Sequence, residues 1–185
     1  MKIIAIAAVT AGGKTTIVNE IKKQLKNVES LHFDDYSFEG EVDDFYSWVM
    51  QGANYNVWNL NPLIKDICEI QKRSKCDYLL LDYPFAYCHT EVSKYIDCAI
   101  FIDTPLDIAM ARRVLRDMKD ATGEEIRRDM EMYIKYARVA YVQMLNDVLP
   151  SSDFIIDGTK ELEEKVEEIR KIISVSYTHL LTGKP

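Results

Sequence analysis

The chain of 185 residues, with 48% hydrophobic and 29% charged side chains, has the size and composition of one folded domain and excludes disordered and fibrous classes. Lys and Arg total 23 against 30 Asp and Glu, and the formal charge of −7 has the wrong sign for a protein whose main work is gripping nucleic-acid backbones or anionic membranes. The four cysteines, Cys68, Cys76, Cys88 and Cys98, form no Cys-x-x-Cys pair, and with only His32, His89 and His179 they make no zinc pattern, so a reduced, cytoplasmic protein is expected.

Residues 2–9 form an apolar run that outwardly resembles a short signal peptide. The run passes straight into Gly12-Gly13-Lys14-Thr15, and a buried strand explains it better. Ala8-Val9-Thr10-Ala11-Gly12-Gly13-Lys14-Thr15-Thr16 then matches the phosphate-binding pattern G-x-x-x-x-G-K-[ST], except that Ala8 replaces the first glycine at some cost in turn freedom. A helix is predicted over 15–25. The spacing sets the backbone amides of Thr10, Ala11, Gly12, Gly13, Lys14 and Thr15 around a phosphate at the positive helix end. Lys14 adds a cation for the β- and γ-phosphates, and the Thr15 hydroxyl faces Mg²⁺.

A second strand over 30–33 runs into Asp34-Asp35, where one carboxylate can accept the proton of an attacking hydroxyl; an isolated Asp-Asp also serves as a turn or helix cap. The helix predicted over 43–50 opens an aromatic stretch, Phe45, Tyr46, Trp48, Tyr55 and Trp58, suited to stacking a flat base or to plain core. After a helix over 62–72, the apolar strand 78–81 ends in Asp82, the usual station of a carboxylate that holds Mg²⁺ directly or through water. A strand over 99–102 leads to a helix over 105–117, with Thr104 as N-cap and Pro105 in its first position. Arg112, Arg113 and Arg116 read as one side of that helix. Arg127 and Arg128 follow, suggesting a mobile lid over about 112–130 that carries positive charge to the transferring group; the alternative is a solvated face paired with nearby acids. One helix is expected over 124–149. A last strand over 154–156, the loop Asp157-Gly158 and a helix over 161–173 complete the domain, 1–173. Residues 174–185 lack caps and periodicity and read as a disordered or foreign tail.

Short apolar strands alternating with helices define an α/β class with a mainly parallel sheet. Ligands bind beyond the carboxyl ends of such strands, so residues 10–15, Asp34-Asp35, Asp82 and Asp157-Gly158 are expected to converge on one cleft.

In this order the elements resemble the uridine kinase and nicotinamide riboside kinase group of P-loop nucleoside kinases, over nearly the whole chain up to Ile173. Val9 to Thr16 looks like that group's loop, and His32-Phe33-Asp34-Asp35-Tyr36 looks like its Gln-Asp-[Asp/Ser]-Phe-[Phe/Tyr] segment. The resemblance implies a three-layer P-loop fold with an arginine-bearing helical lid, and Asp34 as base for a 5′-hydroxyl. Asp82-Tyr83 stands where the group usually shows Glu-Gly, which assigns Asp82 to Mg²⁺ beside Thr15. Asp157-Gly158-Thr159-Lys160 is similar to a loop near the adenine of ATP, implying Gly158 and Thr159 as nucleotide contacts alongside Thr16, Arg112 and Arg128. Arg113 falls at a ribose-contacting arginine, with Arg116 beside the transferred group. Tyr55-Asn56 matches a Tyr-Asp or Phe-Asp that holds the ribose hydroxyls, with an uncharged amide in place of the aspartate.

The resemblance implies an ATP- (or GTP-) and Mg²⁺-dependent kinase that phosphorylates the 5′-hydroxyl of a ribonucleoside, with uridine or cytidine ahead of nicotinamide riboside. It implies a small-molecule nucleoside as partner, neither nucleic acid nor membrane, and homo-oligomer formation left open. Two other readings remain: a kinase for a non-nucleoside metabolite alcohol, and a nucleotide-dependent switch or ATPase.

Overall fold

A computed structural model describes the backbone of residues 1–181 and the side chains of residues 1–174. Five strands, β1 (Lys2–Ala7), β2 (Val28–His32), β3 (Tyr78–Asp82), β4 (Cys98–Asp103) and β5 (Phe154–Asp157), form one sheet in the order β2-β3-β1-β4-β5. All four pairings are parallel. The helices are α1 (Lys14–Gln24), α2 (Phe45–Met50), α3 (Asn61–Arg73), α4 (Thr90–Ser93), α5 (Leu106–Asp117), α6 (Gly123–Met132), α7 (Arg138–Ser151) and α8 (Leu162–Leu181). Single 3₁₀ turns lie at Phe33–Asp35 and Tyr55–Val57, and a π-helical turn at Tyr133–Ala137 joins α6 to α7.

The period of two along each strand divides the core into two layers. Ile3, Ala5, Leu79, Leu81, Ala99 and Phe101 face one side, with Leu63, Ile67 and Ile70 of α3 and Val148 of α7. Ile4, Ile6, Leu80, Cys98, Ile100 and Ile102 face the other, with Ile17, Val18 and Ile21 of α1 and Val166, Ile169 and Ile173 of α8. A sheet covered on both faces must be apolar at every position, which is why these strands read as unbroken apolar runs.

The structure corrects three sequence readings. The helix expected over 124–149 is two α-helices separated by the π-turn, a fault that side-chain periodicity does not reveal. Thr104 is not the cap of α5; Pro105 occupies that position, and the Thr104 hydroxyl donates to the Gly12 carbonyl at 2.9 Å. α8 continues past Ile173 to Leu181, so the part of the expected tail over 174–181 has helical backbone. Residues 182–185 lie outside the described residues.

Candidate active site

The connection from β1 to α1 borders a cleft of about 740 Å³ at the carboxyl edge of the sheet, lined there by Ala8, Thr10, Ala11, Gly13, Lys14, Thr15 and Thr16. Ala11 (φ 58°) and Gly13 (φ 103°) take the left-handed backbone that turns the chain into α1. The turn freedom expected of position 8 is therefore needed at 11 and 13, and Ala8 fits, fully buried. Its methyl is accommodated by Gly12, where a Cβ would lie 2.7 Å from the Ala8 Cβ and 2.8 Å from the Val9 carbonyl oxygen. Gly12 does not line the cleft, and its N–H donates to the Val9 carbonyl at 2.9 Å. The first-turn amides of α1 have no carbonyl ahead of them within the helix and are available to an anion.

Asp82, 4% exposed, sits where β3 meets this loop. Its Oδ2 accepts from the Thr15 hydroxyl at 2.5 Å and from His32 Nδ1 at 3.1 Å. With Nδ1 donating, His32 Nε2 is left to accept from the Ser30 hydroxyl at 3.3 Å, and Ser30 in turn accepts from Lys22 at 3.0 Å. No group of three or more His, Cys, Asp or Glu side chains able to hold a metal occurs among the described residues. The chain thus offers two hard oxygens, the Thr15 hydroxyl and the Asp82 carboxylate, which fits a Mg²⁺ ion that takes its remaining ligands from phosphate and water.

Beyond β2 and β3 the cleft is aromatic. Asp34, in the 3₁₀ turn after β2, lines it with Phe33, Glu41, Phe45, Trp58, Phe85 and Met144. The Phe33 and Phe85 centroids are 5.3 Å apart and those of Trp58 and Phe85 4.8 Å. Tyr83 backs this wall from the core, 1% exposed, 5.9 Å from Phe33 and 5.5 Å from Phe85; its hydroxyl has no partner among the described residues.

Tyr55 and Asn56 do not line the cleft. Tyr55 is buried edge-on to Trp48, its hydroxyl 3.4 Å from Asp147 and pushed above its ordinary pKa, by burial first. Asn56 borders a separate shallow pocket, where its side-chain oxygen accepts from the Thr90 N–H at 2.8 Å and its amide donates to Asn54 at 3.3 Å. The 3₁₀ turn at Tyr55–Val57 sends the pair in these directions, and a dipeptide motif cannot report that.

The arginines divide by helical phase. Arg112 and Arg116, four apart on α5, both line the cleft, whereas Arg113 is turned about 100° away. The three do not share one side as expected: Arg113 pairs with Asp129 of α6. Arg128 is exposed on α6 and outside the cleft. Arg116 pairs with Asp117 at 2.6 Å, and this bond, with a smaller contribution from Asp34, holds its pKa above the ordinary value.

At the opposite end, beyond β4 and β5, Thr159, Lys160, Glu161, Leu162 and Lys165 line the cleft. Gly158 does not. Its N–H donates to the Asp103 carbonyl at 2.8 Å, and a Cβ there would run into Thr104, so its role is close packing of the last loop on β4. Thr159 is fixed by Asp157, which accepts from its N–H at 2.8 Å and its hydroxyl at 2.6 Å. Sequence reading missed Lys165, Phe33, Phe85, Glu41 and Met144. They come from five separate stretches of chain, and only Phe33, beside Asp34, carried any local signal.

The segment 70–163, about half of the chain, matches the model of the Phosphoribulokinase / Uridine kinase family. Uridine kinase of Borrelia duttonii is 24% identical over 179 residues, covering 84% of this chain and 86% of the relative. Uridine kinase of Histophilus somni is 23% identical over 217 aligned positions, covering 98% and 97%. Among solved structures, shikimate kinase from Bacteroides thetaiotaomicron is 13% identical with a TM-score of 0.56, covering 94% of this chain and 98% of that one, a likeness of fold. Among the described residues no helix is long and apolar enough to cross a membrane. An all-parallel sheet with a phosphate loop after its central strand agrees with the sequence match, and the chain is a phosphotransferase that belongs to the phosphoribulokinase / uridine kinase family.

Proposed function

We propose that this chain transfers the γ-phosphoryl group of ATP or GTP to the 5′-hydroxyl of a ribonucleoside in the cytoplasm, through a kinase domain of residues 1–173 whose lid spans about 112–130. The observation that carries the reading is that Asp34, Lys14, Thr15 and Arg116 border one cleft whose acceptor end has aromatic walls. The name of the curated relatives, uridine kinase, supports a pyrimidine nucleoside ahead of nicotinamide riboside as acceptor.

Lys14 and the first amides of α1 hold the donor phosphates at the meeting point of the two ends. Asp34 accepts the hydroxyl proton as the acceptor oxygen attacks phosphorus. Arg116, with Asp34 among the charges acting on it, neutralises the transferring oxygens, and Arg112 closes over the nucleotide. Mg²⁺, held through Thr15 and Asp82, would neutralise the β- and γ-phosphates. His32 positions the Asp82 carboxylate for that role.

The turned-away Asn56 favours one second reading, a kinase for a non-nucleoside metabolite alcohol, because the amide assigned to the ribose hydroxyls by resemblance is engaged elsewhere. Incubation with Mg·ATP or Mg·GTP and a panel of nucleosides, with mass detection of products, decides between them. Nucleoside-dependent diphosphate release with a matching 5′-monophosphate is expected; nucleotide binding with no nucleoside phosphorylated transfers the acceptor to the metabolite alcohols.

A further inference from the structure

The aromatic end of the cleft holds a second carboxylate beside the proposed base. Glu41 lines that end with Asp34, while the third carboxylate along the cleft, Glu161, stands at the opposite end. Among the described residues Glu41 makes no hydrogen bond and no ion pair, so its oxygens are open to a ligand. The loop that carries it is fastened on both sides. Before it, the Asn59 N–H donates to the Glu39 carbonyl at 2.8 Å and the Asn59 side-chain amide to the Glu39 carboxylate at 3.1 Å. Gly40, at φ 76°, lies flush on residue 57, where a Cβ would run into the Val57 carbonyl oxygen. After it, Asp44 caps α2 by accepting from the Ser47 N–H at 3.1 Å, and the first residue of that helix, Phe45, enters the cleft wall. Glu41 is thereby set between Phe45 and the segment 57–59 that presents Trp58.

The wall limits what can lie against it. An acceptor whose hydroxyl reaches both Asp34 and the phosphate loop must extend the rest of its body along Phe85, Trp58 and Phe45, the aromatic faces that line this end with Asp34. A flat ring stacked there meets Glu41 at its edge, and a carboxylate accepts hydrogen bonds without donating any. The two pyrimidines differ at the group they turn toward it. Cytosine offers a 4-amino donor, the partner that Glu and Asp take when they read that base; uracil offers the O4 acceptor, whose lone pairs oppose the carboxylate.

We propose that Glu41 reads the exocyclic amino group of the acceptor base and makes cytidine the preferred acceptor over uridine. The inference rests on the nucleoside kinase reading above. Its test is kcat/KM for cytidine and for uridine at a fixed Mg²⁺–nucleoside triphosphate concentration, on the wild-type chain, Glu41→Gln and Glu41→Ala. Thermal unfolding accompanies each; Glu41 is exposed and unpartnered within the described fold, so both variants should melt near the wild type. The expected result is cytidine favoured roughly tenfold or more by the wild type. Glu41→Gln, whose amide can accept from cytosine or donate to uracil, should bring the two near parity, and Glu41→Ala should lose activity on cytidine while keeping it on uridine. Uridine equal or ahead in the wild type, a cytidine preference untouched by both substitutions, or an equal loss on both nucleosides would overturn the proposal and leave the nucleoside kinase reading standing. If neither nucleoside is phosphorylated, both fall.

Discussion

Lys14 lines the cleft without an ion pair among the described residues, so its charge is not spent on the fold. Lys14→Ala should lower phosphoryl-transfer turnover by roughly 10²–10³-fold while the unfolding midpoint stays near that of the wild type, read by steady-state kinetics beside urea denaturation. Tyr83 carries the opposite expectation. Its hydroxyl is buried with no partner among the described residues, and that burial holds its pKa well above the ordinary value. Tyr83→Phe removes a desolvated donor and keeps the ring contacts with Phe33 and Phe85, so it should stabilise the chain by about 1 kcal/mol in urea unfolding; a loss of stability would show that the hydroxyl is satisfied. The two residues differ in how they are read. Lys14 announces itself because a glycine-rich turn and a following helix fix a lysine's place within a few positions, whereas the fate of Tyr83 depends on an aromatic cluster assembled from distant segments.

At the scale of the element, helical phase separates arginines that a count treats alike. Arg116→Ala removes a guanidinium at the cleft and should cost roughly 10²–10³-fold in turnover; Arg113→Ala breaks the link between α5 and α6 and should lower stability with a smaller effect on turnover, the two read by paired kinetics and thermal unfolding. The last turn of α5 also has a pH signature. Arg116 holds the Asp117 carboxyl below its ordinary value of 3.8, so the folded chain binds fewer protons than the unfolded one in that range. Stability from this pair is present above about pH 3.8 and is lost as pH falls through the lowered folded value. The pair is exposed to solvent, so the loss is under about 1 kcal/mol, and Asp117→Asn should flatten the acid limb of the Tm–pH curve by that amount. Apolar periodicity sufficed for most helices, but it missed the π-turn at Tyr133–Ala137, because one extra residue per turn leaves the local composition unchanged.

Over the whole molecule, the parallel sheet sets the cleft along a line, with Asp34 and the aromatic wall beyond β2 and β3, the glycine-rich loop after β1, and Thr159 to Lys165 beyond β4 and β5; on the proposed reading these hold acceptor, phosphates and donor in turn. Strand existence, the α/β class and the cleft at the carboxyl edge were legible because buried parallel strands are apolar throughout and ligands gather at their ends. What the sequence hid was lateral placement: Asn56 rotated out of the cleft, Arg113 turned to α6, and Lys165 carried to the cleft by α8, far along the chain from the glycine-rich loop. The central claim is that Asp34 takes the acceptor's proton at one end while the nucleotide is held at the other. It is tested most directly by measuring acceptor-dependent phosphoryl transfer and donor-nucleotide affinity together on Asp34→Asn. Unchanged nucleotide affinity with turnover lowered roughly 10²–10⁴-fold is predicted; turnover equal to the wild type would contradict the account.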